Sequence, residues 1–106
     1  MTTSPIGPQH SKEAVGLRLK AIRLALGFDK TRAFAESFGA SSQQISNYEK
    51  GQNYPAVLEM VRLIRRHGGV TLDLIYDENY SCVPYDLAVK IKSAHARLIY
   101  ESTTDG

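Results

Sequence analysis

Between Ser41 and Gly51 the chain reads SSQQISNYEKG. Amide and hydroxyl side chains both donate and accept hydrogen bonds, so such a run suits a polar surface that offers both. On a helix at about 100° per residue, with Ile45 at 0°, Tyr48 falls near about 300° and the buried direction near about 330°. Gln43, Ser46, Asn47 and Lys50 then gather opposite, at about 160°, 100°, 200° and 140°, with Ser42 and Gln44 flanking them. A helix of this width fits the major groove of double-stranded DNA. There a Gln or Asn amide matches the N6 and N7 edge of adenine, with about 1–3 kcal/mol of discrimination per good pair. Ser serves several base edges, and Lys50 meets phosphate or guanine.

Other chemistries lack their residues. His10, His67 and His95 are widely separated and show no nucleophile or metal spacing. His67 falls at a helix C-terminus, where a neutral or a charged ring is favourable with the dipole. Cys82 is the single cysteine, so no internal disulfide or cysteine zinc site forms, and it is expected to be a partly buried connector thiol. No Gly-rich phosphate loop is present. The chain is expected to be no enzyme and to need no metal or cofactor. Without a signal-like run or a stretch near the roughly 20 apolar residues that span a bilayer, it is expected in the cytoplasm and away from membranes.

The elements that must position the polar face are helical. Residues 1–10 contain two Pro and read as a flexible arm. Val15, Leu19, Ile22 and Leu26 recur at helical spacing from Ser11 onward, and Gly27 ends that helix. Asp29 is the expected N-cap of a second helix with Phe34, Ala35 and Phe38 inside. Ser41 and Gln44 fit a capping box opening the third. Pro55 suits the first turn of a fourth, with Val57, Val61, Ile64 and Leu58 towards the core. Thr71 caps a fifth, and a sixth runs from Pro84 to about Tyr100. The expected fold class is all-α. From Thr31 to Glu49, Ala35 lets a helix cross closely and Gly39 supplies a backbone turn. Ile45 and Tyr48 fill the angle between two helices, which is the steric pattern of a helix-turn-helix.

The 106 residues suit a single domain, and the net charge of +2 hides an uneven distribution. Residues 1–66 hold 10 Lys or Arg against 5 Asp or Glu, and residues 67–106 hold 3 against 6. A basic N-terminal two-thirds favours an anionic partner.

GLRLKAIRLALG, AFAESFGASSQQISNYEKG and YPAVLEMVRLIRRHGGVTLDLIY together resemble the lambda-repressor-like, Cro/CI-type helix-turn-helix domain of the XRE family. The resemblance spans about residues 13–77 and is most specific from Ala35 to Pro55. It implies a five-helix bundle over residues 11–77, its third helix entering the major groove by the N-terminal end. It implies base reading by Ser42, Gln43, Asn47 and Ser46. Phosphate contacts are implied for Lys30, Thr31, Gln44, Lys50 and Asn53, with Thr31 standing where the family commonly has Gln. It pairs Glu49 with Arg23 in a structural role. GFDKTRAFA and HGGVT each read one residue longer than the family pattern. The third helix lacks Arg, so an A·T-rich site is expected.

Residues 78–106 read as a connector and an additional C-terminal helix with a frayed tail. Leu87, Ile91, Ala94 and Leu98 form one apolar stripe, and Tyr85, Val89, Ala96 and Tyr100 a partial second. Two stripes exceed what so small a bundle covers, which predicts a homodimer, with the first stripe as the dimerisation surface. The resulting expectation is a sequence-specific regulator of transcription that binds double-stranded DNA as a repressor. The alternatives are an antitoxin whose extension holds a toxin, and a protein-interaction adaptor on the same fold.

Overall fold

The computed structural model describes residues 7–104, and these are all-helical, without strands. Ser11 caps α1 (Lys12–Ala25), its hydroxyl accepting from the Ala14 amide at 3.1 Å. The helix stops where Gly27 takes φ +94°, a left-handed conformation that costs glycine least. α2 (Thr31–Ser37) starts one residue later than an Asp29 cap implies. Lys30 holds the N-cap position, and no side chain caps the helix.

Gly39, at φ +76°, turns the chain between α2 and α3 (Ser42–Glu49). The Ser41 hydroxyl accepts from the Gln44 amide at 3.4 Å. The return bond expected of the Gln44 side chain is absent, so half of the capping box forms.

α4 (Val57–Arg66) differs most from its sequence expectation. Pro55 precedes the helix, is buried, and takes no part in its first turn; Ala56 is the N-cap. Met60 and Leu63 face the core, with Ile64 partly buried, whereas Val57 and Leu58 are 55% and 77% exposed. Apolar residues ring the start of this helix, so periodicity alone left two possible inward faces, and packing selected one.

α5 (Leu72–Asp77) is capped by the Thr71 hydroxyl, which accepts from the Leu74 amide at 3.0 Å. The Tyr76 hydroxyl donates to the Pro55 carbonyl at 2.7 Å, and burial pushes its pKa up to about 12, so it stays a donor. α6 (Tyr85–Thr104) packs chiefly on α1.

The core joins Leu19, Ile22, Phe34, Ala35, Ile45, Met60, Leu63, Leu74 and Ile75 from α1 through α5, with Ile91 from α6. Ile91 is wholly buried and Leu98 nearly so, with Leu87 and Ala94 partly buried. The stripe expected to hold a second copy is therefore the one that seals α6 onto its own bundle. The other stripe, Tyr85, Val89, Ala96 and Tyr100, is exposed.

Residues 1–6 of the expected flexible arm lie outside the described residues. Its end is folded: Pro8–His10 form a 3-10 turn. The Arg18 Nη2 group donates to the Gln9 carbonyl at 2.9 Å, and the Tyr54 hydroxyl to the His10 carbonyl at 2.7 Å. His10 Nε2 lies 2.6 Å from Asp77 Oδ1. Arg18 is the pin of this region. It is buried on α1, where its Nε and Nη2 also donate to the carbonyls of Leu74 and Ile75. Burial lowers its pKa from the usual guanidinium value. Four bonds to backbone carbonyls hold a charge that desolvation would otherwise make costly.

Candidate nucleic-acid interface

The site is built on α3, and α3 is held from behind. Ile45 is fully buried and Tyr48 nearly so. The Tyr48 hydroxyl donates to the Glu59 carboxylate of α4, and burial together with this bond raises its pKa. At the helix end Arg23 meets Glu49 through two bonds, Nε to Oε2 at 2.8 Å and Nη2 to Oε1 at 3.0 Å. Their side chains are only 6% and 7% exposed. The same guanidinium donates from Nη1 to the carbonyls of Phe28 and Asp29 at 3.0 and 2.6 Å. One arginine thus ties the α1–α2 turn to the end of α3, a planar fork that a lysine has too few directed donors to replace.

Close approach of α1 is the second constraint. Gly16 is buried, and a Cβ there would lie 2.1 Å from the Tyr48 carbonyl oxygen. Only the missing side chain lets α1 pass this near the end of α3. Its signal in the sequence is a glycine inside an otherwise regular helical pattern.

The outward face carries the polar residues. Gln43, Gln44 and Lys50 are exposed, and Ser42, Ser46 and Asn47 are half-buried. Gln43 Nε2 donates to Asn47 Oδ1 at 3.3 Å, one helical turn away. The bond leaves outward the Gln43 carbonyl oxygen, its second N–H and both Asn47 N–H groups. Gln43 therefore keeps one donor and one acceptor side by side, the pair that an adenine edge complements.

The Thr31 hydroxyl lies 3.0 Å from that of Ser42, so the first turns of α2 and α3 meet. Two hydroxyls sharing one bond leave one O–H group to donate elsewhere. Lys30 is exposed beside this junction. Lys50 and Asn53 are exposed at the other end of α3, Lys50 at its C-cap and Asn53 in the following loop. The polar candidates thus fall into a central pair on α3 and groups at its two ends. Ala35 is fully buried, and Gly39 forms the turn between the helices.

The histidines and the cysteine do not join this face. His67 Nε2 lies 2.8 Å from the Ser37 hydroxyl, and its ring contacts Phe28 and Phe34. Burial lowers its pKa, and Arg66 adds to the effect, which favours the neutral one of the two forms expected at this helix end. Cys82 is exposed, contrary to the partial burial expected. No group of His, Cys, Asp and Glu among the described residues is arranged to hold a metal ion. None of their helices is long and apolar enough to cross a membrane.

A family model described as helix-turn-helix matches residues 19–75, more than half of the chain and the whole of α2, α3 and α4. No curated protein and no solved structure matches the chain.

Proposed function

Since this chain belongs to the Cro/CI-type helix-turn-helix family, a family of DNA-binding regulators, we propose that it is a sequence-specific repressor. It reads the major groove of double-stranded DNA with α3 and occludes a promoter. The observation that carries this reading is the Gln43–Asn47 amide pair, an exposed and a half-buried side chain bonded across one turn of a helix fixed from behind by Ile45, Tyr48 and the Arg23–Glu49 fork. A surface helix kept only for solubility needs no such anchoring. In this reading Ser42, Gln43, Ser46 and Asn47 meet base edges. Lys30, Thr31, Gln44, Lys50 and Asn53 meet phosphates on either side.

We further infer that the protein acts as a homodimer through the exposed stripe of α6. Tyr85 and Tyr100 are 80% and 69% exposed, and Val89 lies between them at 46%. A twofold pair would set the two α3 helices about 34–36 Å apart, one turn of DNA.

The test is the salt dependence of binding to labelled mixed-sequence duplexes. Contacts to several phosphates release counterions, so affinity must fall steeply from 50 to 200 mM salt, with a logarithmic slope of roughly −0.9 per phosphate neutralised. No duplex binding at low salt would favour a protein-interaction adaptor on the same fold.

A further inference from the structure

An open groove of about 480 Å³ runs between the C-terminal half of α1 and α6. That volume lies in the roughly 300–1,000 Å³ range of small-molecule sites. Leu24 and Ala25 of α1 and Val89 and Ala94 of α6 give it an apolar lining, and Val89 also belongs to the exposed α6 stripe proposed to hold a second copy. Lys90, Ser93 and Arg97 add polar groups at successive turns of one α6 face, three and four residues apart.

Lys90 and Arg97 are exposed, and neither belongs to the His10–Asp77, Arg23–Glu49 or Arg32–Glu36 pair. Asp29 is the one acidic residue lining the groove. Two cations against one carboxylate leave a net charge of +1, which a monoanion neutralises.

We infer that this groove binds a small amphipathic monoanion, an organic acid whose apolar body lies on Leu24, Ala25 and Ala94. Its carboxylate is held by Lys90 and Arg97, with the Ser93 hydroxyl as a further donor. DNA phosphate is the weaker candidate for the same cations, because a phosphate chain has no use for the apolar lining. The Asp29 end of the groove belongs to the α1–α2 turn, whose carbonyls Arg23 holds while also holding Glu49 of α3. A ligand seated there therefore lies against the support of the polar helix. The inference is independent of base reading by α3, but through Val89 the groove abuts the stripe proposed to hold a second copy, so a ligand seated there lies at the edge of that dimer surface.

The probe is 8-anilinonaphthalene-1-sulfonate, an aromatic monoanion whose fluorescence rises in apolar sites, with octanoate and octanol as competitors. The expected result is a saturable fluorescence rise that octanoate reverses and octanol at equal concentration does not. Lys90→Ala with Arg97→Ala should weaken the probe by about tenfold, the loss of a charge-assisted bond. Ser93→Trp, at an exposed position, should block the groove and abolish the signal. Val57→Ser with Leu58→Ser, which removes the exposed apolar residues of α4, should leave it unchanged. The inference is overturned by the absence of saturable binding, by equal competition from octanol, or by unchanged affinity in the Lys90/Arg97 variant. Loss of duplex binding in that variant, without any effect on the probe, would assign the two cations to DNA instead.

Discussion

Gln43 and Asn47 share a hydrogen bond, so their contributions to recognition are coupled. Gln43→Ala and Asn47→Ala should each weaken binding to the preferred duplex by about 1–3 kcal/mol. The double variant should lose less than the sum, because each single change already disrupts the pair. Fluorescence anisotropy on all four proteins measures the coupling, and strict additivity would show that the bond plays no part. Arg23→Ala acts differently. It strands the Glu49 carboxylate at 7% exposure and should cost about 3–5 kcal/mol of stability in urea unfolding. His67 and His95 supply a pH dependence, since burial lowers both pKa values below the ordinary 6.5. The unfolded chain takes up these protons at a higher pH than the folded one. Their contribution is therefore whole above about pH 6.5 and is lost as pH falls through that value towards the folded pKa values. Unfolding free energy should drop between pH 7 and 5, and less so in His67→Gln; a flat profile would contradict this. Residues set by a local pattern, such as the Ser41 cap and the polar face of α3, were legible in the sequence. Arg18 was not, because a lone arginine in a helical pattern looks like a solvated charge until distant carbonyls converge on it.

Among the helices, each error had a physical origin. Pro55 suggested an early start for α4, and a ring of apolar residues then allowed the wrong inward face. The structure buries Met60 and Leu63 and leaves Val57 and Leu58 out. For α6 the existence of two stripes was legible, but the stripe that packs at home was not. That choice depends on the shape of α1, which no residue of α6 encodes. Gly16 sets the distance between α1 and α3. Gly16→Ala should destabilise the protein even though alanine is the better helix former by about 1 kcal/mol. The new methyl group meets a backbone carbonyl that cannot rotate away. Urea unfolding checks the sign, and a stabilised variant would mean that α1 shifts freely.

At the scale of the whole molecule, the helix count and the helix-turn-helix pattern were legible because each rests on short-range spacing. The pairing of Arg23 with Glu49 is an implication of the family resemblance alone. The attachment of Arg23 to the Phe28 and Asp29 carbonyls required the fold. The dimer belongs to this scale too. Tyr85→Ser with Val89→Ser should leave a monomer in sedimentation equilibrium while the helical circular dichroism is retained, since both side chains are already exposed. The central claim is that α3 reads DNA sequence, and the most direct measurement is selection of bound duplexes from a random pool near physiological salt, followed by sequencing. The expected result is an enriched inverted repeat with A·T-rich half-sites about one helical turn apart, lost in the Gln43→Ala, Asn47→Ala double variant. A folded protein that enriches no sequence, or enriches the same sequence without Gln43 and Asn47, would contradict it.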